Sequence, residues 1–404
     1  MKILENPDVK IITSEDYNSI YNKHNGFFAR WGKTEKDDPI MAPMPEILDL
    51  EISQGKCSGK CPECYKCNGD VEETYNMSFD KFKRIFHKVA QTVVEMKFKD
   101  HRSAEFSFVS EDLSKGDIYK DCLTKQDIIN KELEYLDQDE VAYIKVYNEG
   151  LLTQIAFGIC DLDTNPDFLK MMKYCREFDV TPNFTFNGNG LTDKWADEIS
   201  KLCGSVAISV YNKEKAYNAV KMLTDRGMNQ INFHVITHNK SYDKIMSIMD
   251  DIKSDKRLEK LNALVLLRYK PKGNGKGKFH QLSLDKYEKL INYSIQKGVS
   301  IGFDSCSAPV YLEIIKRNPK LKDTEILVEP CESSLFSSYI NCHGEFYACS
   351  FCEKEKHTMW ETGIDVDFNS LKDVWYNKKT ETFRNLLLRN NRNCPMFNLE
   401  ADYE

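Results

Sequence analysis

The chain has 404 residues, 41% of them hydrophobic and 29% charged, with a mean hydropathy of −0.53. An aromatic share of 11% excludes a disordered chain, and no run of about 18 apolar residues exists to cross a membrane. A formal charge of −7 argues against a nucleic-acid glove, which carries a basic excess.

Residues 1–45 mix charged, aromatic and proline residues and read as an irregular lead-in. They lack the apolar core of a secretory signal, so the chain is expected to be cytoplasmic. Strand-like ILDLEIS, ending at Ser53, runs straight into a cysteine cluster. Residues 78–96 then carry apolar positions at helical spacing. Strand-like runs at 154–159, 182–188, 205–211, 230–238 and 263–269 alternate with helix-like runs, the last over 284–297. Strands of this length alternating with helices belong to a parallel α/β sheet. Six such units predict an α/β fold, a partial (β/α)6 TIM-like barrel over residues 46–298. Residues 98–150 interrupt the rhythm and read as an inserted subdomain, a candidate substrate lid. Beyond residue 299 the alternation stops. GVSIGFDSCS reads as a last strand and YINCHGEFYACSF as a hairpin turning at Gly344, in a C-terminal α+β module that gathers the remaining cysteines.

The 14 cysteines are the informative number, because in a reducing compartment they hold metal or do redox work more often than they form disulfides. Cys57, Cys61 and Cys64 form C-x3-C-x2-C directly after the first barrel strand. Three thiolates can hold three irons of a cubic [4Fe-4S] cluster and leave the fourth open to a small molecule. The competing reading is a structural zinc knuckle that uses Cys67 as the fourth ligand. Zinc sites, however, pair two C-x2-C units across a longer span. Cys67 is then a bystander.

The motif and its place resemble the radical S-adenosylmethionine enzymes. The resemblance implies a [4Fe-4S] cluster whose open iron binds S-adenosylmethionine. One electron cleaves that cofactor to methionine and a 5'-deoxyadenosyl radical, which abstracts hydrogen from a substrate. The family places an aromatic residue before the third cysteine; here Glu63 stands there and Tyr65 follows the cysteine, so Tyr65 becomes a candidate for packing on adenine. The strand ends supply the other candidate cofactor contacts. They are Gly158 with Asp161 (or Asp163), Asn187 in an Asn-Phe-Thr-Phe-Asn-Gly ending, Ser209, His234 (with Asn239 nearby) and Arg268. The loop KPKGNGKGK at 270–278 is not a phosphate-binding P-loop, since Lys276 is followed by glycine rather than Ser or Thr.

Cys331, Gly344 and Cys349 give C-x12-G-x4-C, which resembles the opening of the SPASM and twitch modules of that family. The cysteine supply is too small for two further clusters, so the resemblance implies one auxiliary [4Fe-4S] cluster. Its expected ligands are Cys306, Cys331, Cys349 and Cys394, with Cys342 and Cys352 as rivals and a zinc ribbon as the plainer alternative. Cys122, Cys160, Cys175 and Cys203 read as core residues.

The expected function is a radical enzyme acting on a peptide or protein, with flavodoxin or ferredoxin as electron donor and no membrane partner. The runner-up substrates are a nucleotide, an RNA or a small metabolite. A non-catalytic iron-sulfur or zinc protein would share the cysteines but would leave S-adenosylmethionine uncleaved.

Overall fold

The computed structural model describes every residue except 7, 25, 70–72, 109–118, 398 and 400–404. Ten residues of the inserted segment, 109–118, therefore lie outside the described residues. The lead-in is ordered: β1 (Lys2–Glu5), β2 (Val9–Thr13), β3 (Asn18–Asn22) and β4 (Phe28–Trp31) form an antiparallel sheet in sequential order. These strands are only four or five residues long, too short for periodicity alone to reveal.

β5 (Ile47–Glu51) opens the main sheet. β6 (Ser53–Gln54) pairs with β7 (Tyr75–Asn76), and this pair closes the base of the loop that carries Cys57, Cys61 and Cys64. Helix α1 (Phe79–Ala90) starts at Ser78, whose hydroxyl accepts from Lys81 N at 3.3 Å. It stops sooner than its apolar pattern predicts, because Gln91 turns left-handed at φ 50° and β-branched Thr92, Val93 and Val94 begin a strand. That strand, β8 (Thr92–Phe98), lies between β9 (Ser103–Ser107) and β10 (Val141–Asn148), with α2 (Lys125–Leu133) beside β10. The inserted subdomain is thus a three-stranded sheet whose central strand comes from the end of the expected helix.

The rest follows the alternation: β11 (Gln154–Gly158), α3 (Phe168–Glu177), β12 (Thr181–Phe186), α4 (Asp193–Leu202), β13 (Val206–Ser209) and α5 (Lys213–Thr224). Then come β14 (Ile231–Thr237), α6 (Tyr242–Ser254), β15 (Ala263–Arg268), α7 (Leu284–Lys297), β16 (Ile301–Phe303) and α8 (Ala308–Arg317). β17 (Ser337–Ile340) and β18 (Glu345–Tyr347) form the predicted hairpin around Gly344, whose φ of +84° suits a residue without Cβ. β19 (Ile364–Asp365) and helices α9 (Leu371–Trp375) and α10 (Lys378–Arg389) complete the chain.

The main sheet runs β16-β15-β14-β13-β12-β11-β5-β17-β18-β19, parallel from β16 through β17. β16 and β17 are not paired with each other, so the described strands form one large parallel sheet with two open ends. The C-terminal module is continuous with it, since β17 hydrogen-bonds along β5. One face buries Leu48, Leu50, Ile155, Phe184, Ile208, Phe233 and Leu266 under the helices. The other carries half-buried small and polar residues such as Ala156, Asn183, Thr185, Ser209 and His234. No helix among the described residues is long and apolar enough to cross a membrane.

Phe82 of α1 is fully buried between Phe79, Phe86, Phe157 and Tyr174. Phe82→Ala is expected to lower stability by about 3–5 kcal/mol, read from guanidinium unfolding. A loss below about 1 kcal/mol would show that this aromatic cluster does not anchor α1.

Candidate functional site

Parallel α/β sheets place ligands at the carboxyl ends of their strands. The loop after β5 rises there and is tied down on several sides. Ser58 donates through its amide and hydroxyl to Asp161, at 2.7 and 2.6 Å, and Asn189 Nδ2 donates to Ser58 Oγ at 2.9 Å. Gly59 has room for nothing larger. A Cβ there would stand 2.7 Å from Asn187 Nδ2, 3.2 Å from Cys61 Sγ and 3.4 Å from Cys57 Sγ. Two of the three thiols therefore converge on one glycine, with Asn187 beside them.

The thiols press on one another electrostatically. Burial pushes Cys61 up to about 12, and the charges of Cys64 and Cys57 add to that. Cys57 is drawn down to about 7 by its hydrogen bond with Cys160 and by backbone N–H donors, Gly59 among them. A bound cation would relieve this mutual repulsion. Among the described residues no three His, Cys, Asp or Glu groups gather tightly enough for a single metal ion. A cubic cluster instead spaces its thiolates around its corners, and the three-cysteine set suits it.

Beneath the loop lies a buried charge network. Lys66 pairs with Glu51 at 3.0 Å and also with Glu353 and the Tyr339 hydroxyl. Tyr339 donates to Glu353 Oε2 at 2.9 Å, and Asn341 Nδ2 donates to Glu353 Oε1 at 2.9 Å. Burial works against the Lys66 charge, but Glu51 and Glu353 outweigh it and raise its pKa. Tyr65 turns the same way: its ring stacks on Phe351 at 4.3 Å between centroids. Tyr65 therefore faces the C-terminal module.

Glu63, directly before the third cysteine, stands with Oε1 3.0 Å from His238 Nε2. Burial disfavours its charge, but the His238 contact prevails and holds the carboxyl below its ordinary range. Both line a cavity of about 260 Å³ with Ser209, Tyr211, His234 and Phe279. Ser209 and His234 are thus brought together. Gly158 lies beside Glu51, where a Cβ would stand 3.2 Å from Glu51 Cα. Arg268 sits elsewhere, with Nη2 donating to Leu399 O at 3.1 Å. Glu63, Tyr211 and His238 were not among the sequence candidates; the acid in place of the aromatic was the signal for the first.

Arg268 lines a second cavity of about 350 Å³ together with Cys306, Cys331, Cys394 and Arg392. Cys349 joins this set, because its charge acts on both Cys331 and Cys394. Cys352 is its neighbour, with sulfurs 3.4 Å apart. Cys342 lies apart, its thiol 3.7 Å from Gln54 Oε1 and its amide donating to Glu51. Three of the four expected auxiliary ligands, Cys306, Cys331 and Cys394, therefore line one cavity, and this thiol-lined cavity suits an iron-sulfur cluster. Cys67 is exposed, whereas Cys122, Cys160, Cys175 and Cys203 are buried.

No protein-family model and no curated protein matches the sequence. Solved structures do. SuiB of Streptococcus suis bound to S-adenosylmethionine aligns over 94% of this chain and 90% of its own, at 12% identity and a TM-score of 0.57. SuiB bound to its precursor peptide SuiA aligns over 93% and 90%, again at 12% identity, with a TM-score of 0.56. The chain shares the fold of SuiB. A third structure, anSMEcpe with bound AdoMet and the Cp18Cys peptide, covers 85% of this chain and 83% of its own at 14% identity and a TM-score of 0.52.

His234, in the wall of the 260 Å³ cavity, makes the stability of the fold depend on pH. Burial pushes His234 down to about 4, so the folded chain holds it neutral. Its unfolded value is about 6.5. The unfolded chain therefore binds the extra proton, and stability is full above about pH 6.5 and falls as pH drops towards 4. His234→Gln is expected to flatten that loss, measured as unfolding midpoints at neutral and acid pH. An identical pH slope in the variant would contradict the burial assignment.

Proposed function

We propose that the chain is a cytoplasmic radical S-adenosylmethionine enzyme that modifies a peptide or protein made by the ribosome. The observation that carries the reading is the loop after β5, where Cys57 and Cys61 converge on Gly59 beside Asn187. It lies in a fold shared with structures that hold S-adenosylmethionine and peptides. In this reading the strands curve as a partial (β/α)6 barrel around the substrate. Cys57, Cys61 and Cys64 hold a [4Fe-4S] cluster; Cys306, Cys331, Cys349 and Cys394 hold an auxiliary one, with Cys352 as the remaining rival.

When bound, the first cluster and S-adenosylmethionine supply a 5'-deoxyadenosyl radical, fed by one electron from flavodoxin or ferredoxin. The chain's own residues position and shield. Asp161 fixes the loop through Ser58, and Asn187 closes over Gly59. Ser209, His234, Glu63 and Phe279 offer a pocket with both polar and aromatic walls, which suits a nucleoside. Glu63 presents an ionised acceptor whose Oε2 is buried and without a hydrogen-bond partner, a demand that an N–H donor of the cofactor would meet. The half-buried polar face of the sheet, with Asn183 and Thr185, is the floor on which the substrate rests.

The reading is tested by anaerobic reconstitution with S-adenosylmethionine and dithionite. The wild type is expected to form 5'-deoxyadenosine, and Cys57→Ala, Cys61→Ala or Cys64→Ala to abolish it. Cleavage retained in any of the three would remove the catalytic assignment. A mass change in a candidate precursor peptide, dependent on the same cysteines, would identify the substrate class.

A further inference from the structure

The basic loop that follows β15 has no part in the chemistry above. From Lys270 to His280 it carries four lysines and no acid, in a chain whose formal charge is −7. Its first two lysines meet opposite charge: Lys270 pairs with Asp304 Oδ2 at 2.8 Å, and Lys272 stands 3.6 Å from Glu355 Oε2. The next two do not. Lys276 and Lys278 are exposed, and neither has an ion-pair partner among the described residues. Lys240, also exposed and without an ion pair, holds its ammonium 5.4 Å from the ring centroid of Phe279, the residue after Lys278. Uncompensated positive charge thus gathers on this loop and on the turn beside it.

That surface is fixed against the first cysteine loop at two points. Asn274 N donates to Cys64 O at 2.9 Å. A Cβ at Gly273, where φ is +63°, would stand 2.3 Å from that same oxygen, so the close approach requires glycine. The second point is Phe279, whose ring lies 4.2 Å from that of His238, and His238 in turn meets Glu63 at 3.0 Å, one residue before Cys64. Bonds within the loop hold its shape. Lys278 N donates to Gly275 O at 2.9 Å, and so does the Tyr269 hydroxyl at 2.7 Å. Asn239 N donates to His280 O at 3.0 Å and ties the loop to the turn that carries Lys240. The ammonium groups stay in water, while the backbone that carries them is anchored beside Cys64.

We propose that Lys240, Lys276 and Lys278 form the docking surface of an acidic one-electron carrier protein and bring it to the Cys64 side of the first cysteine loop. The inference rests on the proposed cluster at Cys57, Cys61 and Cys64, which needs an electron from a partner. One electron leaves the carrier for the site those cysteines hold, and no bond forms or breaks. Exposed charges at a contact act mainly on the rate of encounter and are screened by salt. That suits a carrier which must arrive, deliver and leave. A long polyanion such as RNA is disfavoured by the net charge of the whole chain, whereas a small acidic protein meets only this face.

The test compares two reductants on the reconstituted full chain, with formation of 5'-deoxyadenosine as the readout. Reduced flavodoxin has to dock, whereas excess dithionite is small and needs no docking surface. Lys276→Glu combined with Lys278→Glu is expected to slow flavodoxin-driven formation by at least about tenfold at low salt and to leave dithionite-driven formation unchanged. Lys276→Arg with Lys278→Arg keeps the charge and is expected to match the wild type. Calorimetric titration with flavodoxin reads the docking itself: binding to the wild type is expected to weaken as salt is added, and the charge-reversed variant to bind little at any salt. Equal flavodoxin-driven rates in wild type and charge-reversed variant would overturn the inference, as would a slowing with both reductants alike. Binding of a single-stranded RNA, and not of flavodoxin, through the same lysines would also overturn it. No 5'-deoxyadenosine from the wild type with dithionite would instead remove the cluster reading, and the titration would still decide whether the lysines dock the carrier.

Discussion

A single buried ammonium holds this molecule's chemistry in place. Lys66 sits two residues past the third cysteine and engages Glu51 at the end of β5 and Glu353 of the C-terminal module, with Tyr339 between them. All of these groups are nearly sealed from water. Such a network adds little net stability, since desolvation offsets most of the attraction, but removing one partner strands the others at about 3–5 kcal/mol. Its value is geometric. Lys66 bridges both carboxylates and so ties the cysteine loop to β5 and to the C-terminal module.

The other contacts follow from that placement. With Lys66 anchored, Tyr65 turns outward onto Phe351, the residue between Cys349 and Cys352. The turn of loop 270–278 then fills the space above Cys64. Asp161 holds the loop through Ser58, and Asn187 stands against Gly59. The first cysteine loop thus meets the C-terminal module through Lys66 and Tyr65.

Much of this was legible in the sequence, because periodicity and cysteine spacing are local. The β/α alternation gave β11 through β15 to within a residue or two, and the hairpin around Gly344 stands where expected. That Cys306, Cys331 and Cys394 fall in one C-terminal region was also readable, and they line one cavity. What escaped depends on packing. Nothing local tells that Thr92 leaves a helix for a strand, or that β17 joins β5 and makes the C-terminal module part of the main sheet. The direction of Tyr65 is set by Phe351, some 290 residues away in sequence, and Arg268 faces the cavity lined by Cys306, Cys331 and Cys394, with Nη2 on Leu399 O. Cys342 and Cys352 are indistinguishable by spacing, yet the fold sends one to Gln54 and the other to Cys349.

The central claim is that Cys57, Cys61 and Cys64 leave one iron open to S-adenosylmethionine. Electron paramagnetic resonance of the dithionite-reduced protein, recorded before and after adding that cofactor, tests it most directly. The account predicts a [4Fe-4S] signal whose g-values shift on addition, and a Cys64→Ala variant in which that shifting signal is absent. A signal indifferent to S-adenosylmethionine, or zinc in place of iron at these cysteines, would contradict it.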